Sequence, residues 1–218
     1  MGSAADLVAV LGDVVGSRRD ERPDRRRRRV QDALALTNGR TSPVQPLTPT
    51  IGDEFQGLFG DVVSALDATL MVRLAVFGEV DVRFGIGSGQ LELDPDAAPF
   101  RQDGPAWWAA REAVDAVRAE EQRQERSRGL RTRWIDAAGR APMEVGAVNA
   151  FLVCRDELLF AMDARDAVVM LGLLVDEPLT SIAQGQGVSV SAISQRAIRN
   201  GLYAIRQAHR ELRGAIRG

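Results

Sequence analysis

The sequence predicts an α/β (α+β) fold in two parts, a mixed sheet domain over residues 1–138 and an all-α domain over residues 143–218. Three observations predict it. Up to residue 135, segments with strand-like and helix-like apolar spacing alternate. From Glu144 onward only the helical period remains. Between the two, Asp136-Ala-Ala-Gly-Arg-Ala-Pro142 has the small, polar and breaker-rich composition of a linker.

Residues 7–11 form a short apolar run closed by Gly12-Asp13, a buried first strand that places Asp13 at its end. Residues 24–36 follow as a helix with Val30, Ala33 and Leu34 on its apolar stripe. Extended segments on either side of Gly52-Asp53-Glu54, within residues 44–59, read as a hairpin whose turn carries two acids. Val62, Leu66, Leu70 and Leu74 repeat at helical spacing over 61–77, and residues 81–91 alternate as a strand. Pro105 suits the first turn of a long charged helix running to about residue 126, and residues 130–135 supply a last strand. The order βαββαβ is the ferredoxin-like one, a sheet containing antiparallel strands with its helices expected on one face. Four helices are expected beyond it, at 147–161, 163–175, 180–186 and 189–212.

Composition removes whole reaction classes. The single cysteine, Cys154, excludes an internal disulfide and a cysteine-cluster zinc site. One histidine, His209, leaves no histidine-rich metal site. All 28 basic residues are arginine, so neither a P-loop lysine nor a Schiff-base lysine is present. Acid chemistry rests on Asp and Glu. No apolar run approaches the roughly 20 residues of a membrane span, and the N-terminus lacks a basic flank, which predicts a cytoplasmic protein. The overall charge of −2 conceals a segregation. Residues 143–177 hold 2 Arg against 7 Asp and Glu, net −5, whereas residues 178–218 hold 6 Arg against Glu211 alone, net +5. A basic end of this kind suits a polyanion.

Asp13 and Asp53 are the candidate metal ligands. Magnesium takes hard oxygen ligands, commonly one or two carboxylates plus substrate phosphates, and neighbouring strand ends bring two such groups together. A Mg²⁺ or Mn²⁺ ion would relieve their mutual repulsion. Gly16 and Ser17 offer backbone and hydroxyl donors for phosphate oxygens, assisted by Arg18. The glycines of Gly85-Ile86-Gly87-Ser88-Gly89 do not fit a dinucleotide-binding spacing and lie in a strand, where they permit close backbone packing. Residues 25–29 are an uninterrupted arginine run that reads first as a solvated helix face.

Four blocks carry a family resemblance. Gly12-Asp13-Val14-Val15-Gly16-Ser17-Arg18 resembles the metal-binding first strand and loop of class III nucleotidyl cyclases, and Gly52-Asp53-Glu54-Phe55-Gln56 resembles their hairpin and that of the GGDEF cyclases. Arg83-Phe84-Gly85-Ile86-Gly87-Ser88-Gly89 resembles a later cyclase strand, and the segment beginning Asp103-Gly104-Pro105-Ala106 falls where cyclases start their interface helix. In this order the blocks are closer still to the SatD family, a resemblance covering about residues 5–115. It implies a palm domain in which Asp13 and Asp53 hold metal and Arg111 stabilises transition-state charge. The asparagine that cyclases place four residues before that arginine is Trp107 here, a departure that argues against turnover by the cyclase route.

The C-terminal part contains a helix-turn-helix pattern. Thr180 is placed to cap a short helix, Gly187 to take the positive φ of a tight turn, and Ser189 to cap the next helix. Ala183 and Ile193 are expected to meet across the turn. Ile193, Ala197, Ile198, Leu202 and Ile205 form the expected inward stripe. Ser191, Ser194, Gln195, Arg199 and Asn200 then face outward with Arg196 at the margin, and these residue types read base edges and phosphates. The acidic residues Glu157, Asp163, Asp166 and Asp176 are expected to face away from DNA. The tract is similar to region four of sigma factors.

Together these features point to an intracellular DNA-binding transcriptional regulator whose palm binds a metal-nucleotide as a sensory or dimerisation module. Double-stranded DNA, a nucleotide and a second copy of the chain are the expected partners, with no membrane. An alternative from another class is a metal-dependent nucleotidyl cyclase or nucleotidyltransferase, with Arg111 and Glu54 in catalytic roles. A third leaves the palm as a dimerisation scaffold.

Overall fold

The structure is a computed structural model describing residues 5–16, 23–91, 103–125 and 127–217. In chain order its elements are β1 (Ala5–Val14), α1 (Pro23–Arg40), β2 (Gln45–Pro49), β3 (Glu54–Phe59), α2 (Val62–Ala75), β4 (Val82–Leu91), α3 (Pro105–Glu120), β5 (Thr132–Asp136), α4 (Pro142–Phe160), α5 (Ala164–Leu174), α6 (Leu179–Gln186), α7 (Val190–Arg199) and α8 (Leu202–Arg217). The five strands form one sheet in the order β2-β3-β1-β4-β5. Each neighbouring pair among the first four is antiparallel, in the ferredoxin-like order, and β5 adds in parallel to β4 through the α3 crossover.

Strand alternation divides the core in two. Val8, Val10, Phe55, Phe59, Phe84 and Ile86 point to the face covered by α1, α2 and α4. Leu7, Ala9, Leu11, Leu58 and Leu91 point the other way and pack under Ala106, Trp107, Ala110 and Val114 of α3. The helices therefore lie on both faces, not on the one face the element order suggested. The cause is the glycine ladder of β4. A Cβ on Gly85 would stand 2.0 Å from the Ala110 carbonyl oxygen, and one on Gly87 would stand 2.1 Å from that of Ala106. With those positions empty, the α3 backbone lies directly on the strand.

Gly12 also has a packing role instead of closing β1. Its added Cβ would meet the Phe55 ring at 2.1 Å, so β1 continues through Gly12 and Asp13 to Val14 beneath that ring. The turn glycine of the region is Gly52, at φ 78° in the β2–β3 hairpin. Helix α1 runs past the expected residue 36 to Arg40. There the Asn38 amide donates to the Leu47 carbonyl at 2.9 Å and accepts from the Leu47 N–H at 2.8 Å. One side chain thus ties the end of α1 to β2.

The linker-like segment marks where strands give way to helices, but close packing continues across it. Val148 and Leu152 of α4 belong to the sheet core. Asn149 satisfies both backbone groups of Trp134 on the edge strand β5, at 3.0 and 2.9 Å, which closes that edge to other strands. Helices α5 to α8 build a further core with Leu70 and Leu74 of α2, including Met170, Ile182, Ile193, Leu202 and Ile205. The expected 189–212 helix is broken by Gly201, at φ 71°, into α7 and α8.

Helix α8 returns to α2 through His209. Its buried Nδ1 lies 2.8 Å from Asp67 Oδ1, and Arg213 pairs with the other oxygen of Asp67. Phe151 stacks edge-on against the imidazole. Burial pushes the His209 pKa below its ordinary value, Asp67 opposes this, and Arg155 and Arg213 add to the lowering. A depressed histidine binds its proton more weakly in the folded chain than in the unfolded one. Stability is therefore full above about pH 6.5 and is lost as pH falls from there through the folded value. Urea midpoints measured between pH 7.5 and 5 are expected to fall with acidification in the wild type, and to fall less in His209→Gln.

Candidate functional site

Strand register fixes the first cluster. Asp13 of β1 stands opposite Glu54 of β3 and opposite Arg83 of β4, all on the α3 face of the sheet. Arg83 donates to Asp13 Oδ2 at 2.7 Å and grips Glu121 at 2.9 and 2.6 Å. Arg118 of α3 reaches Asp13 Oδ1 at 3.0 Å. Arg111, two helical turns earlier on the same face, makes a bidentate pair with Glu54 at 2.6 and 2.9 Å. Glu121 foremost, then Asp13, hold the Arg83 guanidinium protonated more firmly than usual. Trp107 begins this helix as a core residue, buried against β1 and β3, with its indole N–H enclosed and unpartnered among the described residues.

Asp53 belongs to a different environment. Its carbonyl accepts from the Val14 N–H at 3.2 Å, yet its carboxylate lies 4.0 Å from Arg26 of α1 and lines a cavity of about 420 Å³ between α1 and the hairpin. Val14, Val30 and Phe55 give this cavity an apolar floor, and Arg26, Gln31 and Asp53 give it a polar rim. The Arg26 side chain is only 13% exposed, so one member of the arginine run is a cavity wall and not a solvated charge. Gly16 leaves β1 at φ 71°. Ser17 and Arg18 lie outside the described residues.

These positions bear on the expected metal. Both oxygens of Asp13 accept from guanidinium groups, and its in-register carboxylate neighbour is Glu54, not Asp53. Two arginines supply the positive charge that a Mg²⁺ or Mn²⁺ ion would bring, and among the described residues no group of three or more candidate ligands converges. A divalent cation held between Asp13 and Asp53 would have to compete with Arg83 and Arg118 for the oxygens of Asp13. Sequence reasoning missed Arg83 and Arg118. A signal was present for Arg118, which follows Arg111 at the two-turn spacing of one helix face.

The second cluster is the helical pair α6 and α7. Gly187 takes the left-handed conformation at φ 64°, and the N–H of Val188 returns to the Ala183 carbonyl at 3.0 Å, closing the end of α6. Ser189 caps α7 by accepting from the Ala192 N–H at 3.2 Å. Ala183, Ile193 and Ala197 are buried between the helices. The start of α6 differs from expectation: Pro178, not Thr180, occupies the cap position.

Ser191, Gln195 and Arg199 are exposed on the open side of α7, with Ser194 half-buried beside them. Two expected members of that face are held elsewhere. Arg196 donates to Asp163 at 2.9 Å and to Asp166 at 2.8 Å, and Asn200 donates to Asp166 at 2.8 Å. Asp163 and Asp166 form the capping box of α5, so these acids face α7 directly. Ile198, expected in the inward stripe, is 68% exposed. The break at Gly201 passes the inward role to Leu202 and Ile205 of α8.

Fold and clusters define a mixed α/β protein, a five-stranded sheet with helices on both faces that continues into a helical C-terminal part. The SatD family model matches residues 7–135, and the chain belongs to the SatD family. Among solved structures, the chain is similar to a bacterial light-regulated adenylyl cyclase, at 12% identity and TM-score 0.43 over 61% of this chain and 76% of that one. It is also similar to the guanylyl cyclase Cya2, at 14% identity and TM-score 0.37 over 53% of this chain and 72% of that one. No curated protein sequence matches. No helix among the described residues is long and apolar enough to cross a membrane.

Proposed function

We propose that the chain is a DNA-binding regulator whose palm half takes a nucleotide in the cavity between α1 and the hairpin. The observation that supports it most is the α6–α7 pair. Its turn glycine, serine cap and small buried contact leave a second helix with Ser191, Gln195 and Arg199 open to solvent and no acidic residue on either helix. That helix suits the major groove, where Arg pairs with guanine and Gln with adenine. A dimer would present two such helices to two half-sites.

The test is fluorescence anisotropy on duplexes enriched from a random library. Arg199→Ala, at an exposed position, is expected to weaken binding about 10- to 100-fold, the worth of one bidentate base contact, with an unchanged circular dichroism spectrum. Unchanged affinity removes Arg199 from the interface.

Arg26 and the apolar floor support the nucleotide assignment, with the guanidinium meeting phosphate and Val14, Val30 and Phe55 meeting the base. Thermal shifts with the four nucleoside triphosphates, in EDTA and in Mg²⁺ or Mn²⁺, separate the routes. A shift that survives EDTA assigns binding to the arginines; one that requires metal returns Asp53 to the ligand set; none with any nucleotide leaves the palm as a dimerisation scaffold. The in-register carboxylates Asp13 and Glu54, with Arg111 of α3 paired to Glu54, favour one further reading, a nucleotidyl cyclase or nucleotidyltransferase. A product formed from the same triphosphates by the wild type and not by Asp53→Asn would establish it.

A further inference from the structure

We infer that Ile198 reads the 5-methyl group of a thymine in the major groove, an assignment that rests on the DNA-binding reading above. The two isoleucines of α7 have opposite environments. Ile193 is buried against α6, while Ile198 stands 68% exposed near the far end of the same helix. A lone exposed apolar side chain is ordinary on a protein surface. The company around Ile198 is what distinguishes it.

Asp163 and Asp166 hold Arg196 and Asn200 against α5, away from the open face of α7. What remains there is Ser191, Ser194, Gln195, Ile198 and Arg199, adjacent at three- and four-residue spacing. This set holds hydrogen-bonding groups, one cation that makes no ion pair among the described residues, one branched apolar group and no acid. Base edges in the major groove present the complementary set: acceptors on guanine, a donor and acceptor on adenine, and on thymine an acceptor beside a methyl group. The methyl is the one apolar feature of that code, and Ile198 is the one large apolar side chain of this face. From Ser191 to Ile198 the helix rises roughly 10 Å, about three base steps. Ile198 therefore meets a base about three steps from the one nearest Ser191, while Gln195 and Arg199 flank it.

The experiment uses the full chain and the duplex it enriches from a random library. Each thymine of that duplex is replaced in turn by deoxyuridine, which lacks only the methyl, and affinity is read by anisotropy for wild type, Ile198→Ser and Ile198→Val. One thymine is expected to matter: its replacement weakens wild-type binding about fourfold, the worth of one buried methyl group. The same replacement leaves Ile198→Ser unaffected, and Ile198→Val keeps part of the effect. Wild-type indifference to every replacement overturns the assignment, as does equal sensitivity in Ile198→Ser. A change from dimer to monomer in Ile198→Ser, read by light scattering, also overturns it by placing Ile198 in a protein interface. Failure to enrich any duplex overturns the DNA-binding reading itself, a result distinct from the others.

Discussion

Replacing Asp156 by alanine is expected to destabilise the chain by about 3–5 kcal/mol, the range for removing one partner of a buried ion pair. Asp156 is fully buried on α4, with guanidinium groups at one carboxylate oxygen and backbone N–H groups at the other. One oxygen takes Arg73 at 2.7 Å and Arg155 at 2.9 Å; the other takes the backbone N–H groups of Arg131 and Thr132 at 2.7 and 2.8 Å. Burial works to raise its pKa, but Arg73, Arg155 and these donors hold it below the usual carboxylate value. Without the carboxylate, two enclosed guanidinium groups face each other and two strand-edge amides lose their acceptor. The half-exposed carboxylate Glu79, shared by Arg29 at 2.8 Å and Arg25 at 3.3 Å, provides the contrast: removing it is expected to cost about 1 kcal/mol. Urea denaturation of Asp156→Ala and Glu79→Ala measures both. Equal costs would mean that water reaches the α4–β5 junction.

That junction shows why part of the architecture was illegible in the sequence. Residues 143–177 announce themselves as helical and acidic, and a charge there reads as solvent-facing because charged residues are rarely buried alone. Arg155 and Asp156 are adjacent in sequence, yet what buries them is Thr132 on β5 and Arg73 on α2, which no local pattern reveals. The same limit applies at α7. Arg196 and Asn200 have the composition of base readers, and only the fold of α5 brings Asp163 and Asp166 within their reach. Features set by backbone conformation were legible: the hairpin at Gly52, the turn at Gly187 and the cap at Ser189 each require a residue type that the chain supplies locally. Gly12 misled because a glycine before an aspartate has the same letters whether it turns the chain or makes room for a ring. At the carboxylate cluster, Asp13 and Glu54 stood out by type, but their arginine partners depended on α3 crossing the sheet on the second face.

The seating of α3 leads to the other large expected effect. Gly87→Ala is expected to lower stability by about 3 kcal/mol, the upper end for overpacking, because the obstacle is helix backbone that no rotamer change can move. The new Cβ would lie 2.1 Å from the Ala106 carbonyl oxygen and 2.2 Å from the Ala110 nitrogen. Backbone conformation is not the cause, since Gly87 is absent from the positive-φ positions and sits inside a regular strand. To admit one methyl group, α3 must lift from β4, and Arg111 and Arg118 lift with it from Glu54 and Asp13. Gly39→Ala in α1 isolates the effect: nothing lies within 4 Å of its Cβ, and helix propensity alone predicts a gain of up to about 1 kcal/mol. Urea midpoints of the two variants should therefore move in opposite directions. If Gly87→Ala is as stable as the wild type, α3 does not rest on the glycine ladder, and the arginines it carries are not held against Asp13 and Glu54 by the fold.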